Sequence, residues 1–244
     1  MEGIYRIAER TILIRTLHER MHKEAAAFAA EGPVDFTVEI TQAEIDAERA
    51  RNRKEADETA VPVNADAYIE TLAVYRKIAE QMPSYDTVLF HSSAVAVDGA
   101  AYLFAAKSGT GKSTHARLWR ELLGDRAIMI NDDKPLLRIT DAGATVFGTP
   151  WNGKHRLGTN GSAPVRAICV LERGAQNHIE RIGPKEAYPI LLQQTYRPDS
   201  REAMLQTLTL LDRLLKTATF YRLFCNMEPE AARLSYETMK GNEP

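Results

Sequence analysis

Cysteine is nearly absent from this chain: Cys169 and Cys225 are the two among 244 residues. Both fall in apolar, strand-like runs, which reads as core thiols rather than a bridge or a metal pair. Long hydrophobic runs are missing too, so no segment has the length needed to cross a bilayer. The opening Met1-Glu2-Gly3-Ile4-Tyr5-Arg6 lacks the basic-then-apolar layout of a secretory signal. Neither sign of charge dominates: 31 Lys and Arg stand against 33 Asp and Glu, a net of −2, which gives no footprint for nucleic acid or an anionic membrane. Internal repeats and low-complexity tracts are absent as well. These absences lead to the expectation of a soluble cytoplasmic protein with no nucleic-acid and no membrane partner. Hydrophobic content of 44% and charged content of 26% are ordinary for a globular chain, long enough for one large domain or a core with a flank.

The most informative run is residues 106–114, Ala-Lys-Ser-Gly-Thr-Gly-Lys-Ser-Thr. It is the phosphate-cradling pattern G-x-x-x-x-G-K-[ST], with Ala106 at the first glycine position. An apolar stretch over 101–105 predicts a buried strand before it. Residues 113–123 contain no Gly or Pro and repeat Ala116, Leu118, Trp119, Leu122 and Leu123 at helical spacing, which predicts a helix after it. In that strand–loop–helix context Ser108, Gly109, Thr110, Gly111, Lys112, Ser113 and Thr114 are the candidate nucleotide-binding residues. Gly109 and Gly111 let the backbone turn its N–H groups inward, and the helix start adds partial positive charge. Lys112 would reach the terminal phosphates of ATP, and the Ser113 hydroxyl would hold Mg2+. The bland alternative is a glycine turn before a helix.

Upstream, the first eighty-odd residues read as an α+β flank. Strands are predicted over 11–17 and 34–40, a short helix from the capping box Thr41-Gln42-Ala43-Glu44, and a solvated charge run over 49–59. Asn64 then caps a helix with Tyr68, Leu72, Val74, Tyr75 and Ile78 on its apolar face, up to Met82-Pro83. The boundary is placed between a flank, 1–84, and a nucleotide-binding domain, 85–244, leaving open whether the flank joins the core's sheet. Downstream, strands are predicted over 88–90, 94–97, 101–105, 127–130, 136–139, 145–147, 165–171 and 219–225. A hairpin turn at Asp98-Gly99 joins the second and third of these. Helices are predicted over 185–194, with Pro189 tolerable only in a first turn, over 201–216, with Leu205, Leu208, Leu211 and Leu215 as its apolar positions, and over 228–239.

Three further features carry chemistry. Asp132-Asp133 follows the 127–130 strand, where a phosphate-loop protein places the carboxylate that helps hold magnesium. Two adjacent acids allow one to serve the ion and the other to accept a proton from an attacking hydroxyl; an Asn-Asp-Asp turn is the plain alternative. His91 closes the 88–90 strand, a position where histidine is also common for structural reasons. The loop over 148–156 (Gly-Thr-Pro-Trp-Asn-Gly-Lys-His-Arg) offers Lys154 or Arg156 as a cation for a migrating phosphoryl group, or else is a surface turn anchored by Trp151.

Taken in order, His91, then 108–113, then Asp132-Asp133 resembles the HPr kinase/phosphorylase family, and the loop is similar to that of ATP-dependent phosphoenolpyruvate (PEP) carboxykinase, whose core that family shares. The match spans roughly 88–137. It implies an α/β fold, a PEP carboxykinase/HPr kinase-like P-loop nucleotide-binding core with a mixed sheet, and here an N-terminal α+β flank. The strand hairpin before the loop fits that branch. By resemblance the Asp132-Asp133 pair supplies a metal ligand and the base that activates an acceptor serine, the two roles unassigned between them, and His91 lies in the same active site. Thr114 stands where HPr kinases commonly carry an acid, and the C-terminal half has no signature matching their docking region. The loop Thr149-Pro150-Trp151-Asn152-Gly153-Lys154 is similar to that of small HPr-kinase-like proteins of unassigned substrate.

The expectation is an Mg-ATP-dependent kinase acting on a hydroxyl, serine above all, of a protein, peptide or small molecule. Catalysis would fall to Asp132, Asp133, His91, Lys154 and Arg156, with Ser113 and the Asp pair as metal ligands. A non-catalytic ATP-binding regulator and a carboxykinase-like enzyme are the alternatives, and a homo-oligomer is left open.

Overall fold

The computed structural model describes residues 1–55, 66–153 and 155–241. They divide into two compact units, Met1–Gln81 and Met82–Pro244. The first unit contains β1 (Glu2–Ile7), β2 (Arg10–Arg15), α1 (Arg20–Glu24), β3 (Phe36–Glu39), α2 (Gln42–Glu55) and α3 (Asp66–Gln81). Its strands form a sheet of their own, β1 antiparallel to β2 and β2 parallel to β3, so the flank's strands do not join the core's sheet. β1 has no counterpart in the sequence reading, because it buries few side chains and shows no clear alternation. Half of the expected capping box forms: Glu44 Oε2 accepts the Thr41 N–H at 2.7 Å, but the Thr41 hydroxyl donates to that same oxygen at 2.9 Å instead of accepting the Glu44 N–H, which goes to the Thr41 carbonyl at 3.1 Å. The helix that follows is not short. It runs to Glu55 and so takes in the first part of the charge run, because buried Glu48 pairs with Arg76 of α3 at 2.7 Å and gives the polar helix a partner. Asn64 and the rest of that run lie outside the described residues.

The second unit is mixed α/β. In order come β4 (Thr87–Leu89), β5 (Ser93–Val97), β6 (Ala100–Ala105), α4 (Lys112–Leu123), β7 (Ala127–Asn131), β8 (Leu136–Thr140), β9 (Gly143–Phe147), β10 (Ser162–Arg173) and β11 (His178–Ile182). Then follow α5 (Pro184–Gln194), α6 (Arg201–Thr217), β12 (Thr219–Cys225) and α7 (Pro229–Met239). The described strands of this unit make one mixed sheet in the order β4-β8-β9-β10-β6-β5-β7, with β12 added to β10 and β11 to β12. β10 is the joint. Ser162–Pro164 pairs antiparallel with β9, and after an irregularity between Val165 and Ala167 the strand runs parallel to both β6 and β12. Asp98 and Gly99, at φ 50° and 83°, make the expected tight turn that leaves β5 antiparallel to β6.

Both faces of the sheet are covered, which is why its central strands read as unbroken apolar runs. On β6, Leu103 and Ala105 pack with Leu191 of α5 and Leu211 and Leu214 of α6. Tyr102 and Phe104 point the other way, onto Trp119 of α4 and Tyr236 of α7. Two local expectations need correction. Pro189 lies six residues into α5, beyond the first turn; burial of Ala187 and Leu191 against the sheet holds the helix through a position that costs about 3 kcal/mol in an isolated helix. The buried face of α6 is Ala203, Thr207, Leu210, Leu211 and Leu214, whereas Leu205 is 56% exposed, out of phase with that stripe. Cys169 is buried and Cys225 half-buried, and neither forms a disulfide. No described helix is long and apolar enough to cross a membrane.

Helix α4 is locked to α7 by a buried polar knot. Ser235 Oγ accepts from Trp119 Nε1 at 2.8 Å, lies 3.0 Å from His115 Nε2 and donates to the Ala232 carbonyl. Burial pushes the His115 imidazole down to about pKa 4. Its folded value lies below its unfolded one, so its contribution to stability is complete above pH 6.5 and is lost as pH falls towards 4. Between pH 7 and pH 5 the wild-type protein should lose on the order of 2 kcal/mol more than His115→Phe, measured by urea unfolding at both values. Equal acid losses in the two proteins would mean that His115 is solvated.

Candidate active site

Because β5 runs antiparallel to both β6 and β7, those two strands point the same way, and β10 and β12 run parallel to β6. Everything that follows β6, β7, β10 and β12, and everything that precedes β5, therefore emerges at one edge of the sheet. This is the edge at which open α/β sheets hold ligands. His91, the 106–111 loop and the Asp132-Asp133 pair are the expected residues gathered there.

The loop has the shape its sequence predicts. Gly109 and Gly111 take φ of 75° and 123°, and a Cβ built on either would meet nothing within 4 Å, so the backbone there is open. Thr110 N–H returns to the Lys107 carbonyl at 3.2 Å, and Gly111 caps α4. Ser108 and Gly109 are exposed at the loop's outer edge, Thr110 and Thr114 are half-buried, and the Ser113 hydroxyl lies on the exposed side of the first helical turn. Lys112 bends back across the loop and donates to the Ala106 carbonyl at 3.2 Å. Burial pushes its ammonium below the usual lysine pKa, while Asp133 and Asp132 pull it back up. The two acids thus act on the lysine across the width of β5.

The acid pair is built by Asn131. Its Oδ1 accepts the N–H groups of Asp133 and Lys134 at 2.9 and 2.8 Å, closing an Asx turn at the end of β7. Its amide nitrogen donates to Thr149 Oγ1 at 3.0 Å, and the Thr149 hydroxyl donates to the Lys134 carbonyl at 2.8 Å. The 148–156 loop is therefore tied to the acid turn, and a methyl group on Gly153 would lie 3.3 Å from Asp132 Oδ2. Within this frame the two carboxylates differ. Asp132 is buried and accepts the Ser93 hydroxyl at 2.8 Å. Asp133 is half-exposed, with His91 Nε2 3.3 Å from one oxygen and Lys134 Nζ 3.0 Å from the other. Burial would raise the Asp133 pKa, but the His91 hydrogen bond and the Lys134 charge outweigh it and hold the carboxyl at about 2. The group stays anionic throughout the physiological range.

His91 is fixed from its other side. Its backbone N–H donates to the Gln194 carbonyl at 2.8 Å and Tyr196 N–H to that of Leu89 at 2.9 Å, so the segment after α5 is laid along the strand that delivers it. Trp151 is buried and anchors its loop. Arg156 is exposed, at φ 50°, with its N–H on the Gly153 carbonyl at 3.0 Å, and Lys154 lies outside the described residues. The sequence reading has no role for Ser93, Asn131, Thr149, Lys134 or Arg173. Arg173, the last residue of β10, donates to the Gly109 carbonyl at 2.7 Å. Asn131, as the first residue of Asn-Asp-Asp, and Thr149, within the 148–156 loop, carry a local signal; the other three do not. No cluster of three His, Cys, Asp or Glu side chains suited to a metal ion occurs among the described residues.

No family model and no curated protein sequence matches the chain. Among solved structures, the Hpr(Ser) kinase/phosphatase from Coxiella burnetii is similar at a TM-score of 0.35 and 10% identity, over 63% of this chain and 99% of that one. A likeness at that level transfers nothing to this site.

The Ser93 contact makes a direct test. Ser93→Ala leaves a buried carboxylate oxygen without its donor and should lower unfolding stability by about 1–3 kcal/mol. An unchanged urea midpoint would mean that water replaces the hydroxyl and that Asp132 is not sealed in.

Proposed function

We propose that this protein is an Mg-ATP-dependent kinase that passes the γ-phosphoryl group to a hydroxyl of a protein, peptide or small molecule, with serine the first acceptor to try. One observation carries the reading: Lys112, at the end of an open glycine loop after β6, and the Asp132-Asp133 turn after β7 leave the sheet at the same edge, one strand apart. A glycine turn that merely starts a helix requires no acid pair across the neighbouring strand. The ordered set of His91, loop and acid pair, with the β5–β6 hairpin leading into the loop, also supports a P-loop core of the PEP carboxykinase/HPr kinase type.

The groups present suit their ligands. At Gly109 and Gly111 the loop backbone is bare where phosphate oxygens would lie. An exposed Ser113 hydroxyl and two carboxylates form a hard oxygen donor set of the kind magnesium takes, with phosphate and water completing it. When bound, the ion neutralises phosphate charge that would otherwise oppose transfer.

Each residue then has a defined task. Lys112 and the loop N–H groups hold the β- and γ-phosphates. Ser113 and one acid would hold the ion, and the other acid takes the proton from the acceptor hydroxyl as its oxygen attacks the γ-phosphorus and the bond to the β,γ-bridging oxygen breaks, releasing ADP. His91 and Lys134 keep Asp133 deprotonated and in place. Charge spreading over the γ-oxygens calls for one more cation, for which Arg156 and Lys154 are the candidates.

The test is transfer of label from γ-labelled Mg-ATP to free serine or to a lysate of the source organism. Lys112→Ala and Asp132→Asn should each lower turnover by about 100-fold or more, at least ~2.7 kcal/mol of barrier. Near-normal turnover in either variant would overturn the assignment, and tight ATP binding with no transfer to any acceptor would make the protein a nucleotide-dependent regulator instead. A magnesium titration of Asp132→Asn and Asp133→Asn assigns the acids: the ligand variant needs more metal, whereas the base variant loses kcat at an unchanged metal requirement.

A further inference from the structure

The order β12-β10-β6-β5-β7 places two different neighbours on either side of the phosphate loop that follows β6. On the β5–β7 side stand Asp132, Asp133 and His91, the groups that face the transferred phosphoryl. A nucleoside triphosphate is a linear chain, so a γ-phosphate held towards the acids sends the α-phosphate, ribose and base towards β10 and β12. Arg173 stands on that side. It pairs in register with Cys225 of β12, three residues beyond the Val170–Ala105 pair that ends the β10–β6 ladder, and its guanidinium donates to the Gly109 carbonyl at 2.7 Å. Nothing in a sheet ladder requires this contact: it joins an exposed strand-end side chain to a loop tip 64 residues away.

Building on the nucleotide-binding reading above, we propose that Arg173 is the base-side wall of the nucleotide site, holding the loop through Gly109 while the flat face of its guanidinium carries the base. A guanidinium suits both tasks, because its in-plane N–H groups can hold a carbonyl while its face stays available for stacking. The loops beyond it are joined and carry one exposed apolar side chain. Gly174 N–H donates to the Cys225 carbonyl at 3.0 Å and Asn226 N–H to Asn177 Oδ1 at 3.0 Å, which fastens the loops after β10 and β12 to each other. Met227, on the second of these loops, is 78% exposed, an unusual position for a thioether without a partner surface. The ligand class is a nucleoside triphosphate whose base is gripped by stacking and apolar contact.

Calorimetric titration of the full chain with Mg-ATP and with Mg-tripolyphosphate, which has the phosphates but no base or ribose, tests this. The wild-type protein should bind ATP more tightly than tripolyphosphate. Arg173→Ala should shrink that preference by about five- to tenfold, with Arg173→Lys in between, since a lysine can hold the carbonyl but offers no flat face. Met227→Ser, an exposed substitution that leaves the core intact, should shrink it less and leave tripolyphosphate binding unchanged. Lys112→Ala should weaken both ligands alike. If Arg173→Ala weakens ATP and tripolyphosphate equally, the arginine only braces the loop and the base-wall assignment falls. It falls too if neither the Arg173 nor the Met227 variants move the ratio. If the wild-type protein binds neither ligand, the nucleotide reading itself fails and this inference with it.

Discussion

The ladder of β5 is the constraint on which the rest of the site depends. A hairpin strand placed between β6 and β7 and antiparallel to both makes those two strands parallel, although no crossover connection lies between β5 and β6. The glycine loop and the acid turn then leave the sheet at the same edge, one strand apart. The start of β5 delivers Ser93 to Asp132 and, two residues earlier, His91 to Asp133. Slipping that ladder by one residue would turn Ser93 to the opposite face of the sheet and strip Asp132 of its donor.

The acid turn at this edge is held by two multivalent residues. Asn131 uses both ends of its amide, and Thr149 both accepts and donates, so the turn carrying two carboxylates is tied down by hydrogen bonds. The acids sit in different surroundings: Asp132 accepts a neutral hydroxyl, whereas Asp133 faces the Lys134 ammonium and the His91 imidazole. Such unequal surroundings suit a pair whose members divide two tasks.

How much of this was legible beforehand follows sequence distance. The glycine loop is contiguous, its glycines and lysine are fixed by local backbone chemistry, and the strand and helix beside it carry their own periodicity. Asp132-Asp133 was legible because strand ends are readable. Ser93 and Arg173 were not, because their partners lie 39 and 64 residues away and meet them only through strand registers that no local pattern encodes. Pro189 shows the opposite failure: a valid local rule was overridden by burial of the helix around it. Leu205 belongs to the same class, since an apolar residue on a helix does not by itself say which stripe the core will take.

The knot of His115, Trp119 and Ser235 has a consequence for ligand capture. It pins α4 to α7 within the first two turns or so of the helix whose N-terminus would face the phosphates. A helix anchored so close to its working end is preorganised: its macrodipole already points at the loop before anything binds. On the nucleotide-binding reading proposed above, the entropy lost on binding would fall on the short stretch between Ala106 and Lys112 and on the ligand, with little binding energy spent on arranging the helix.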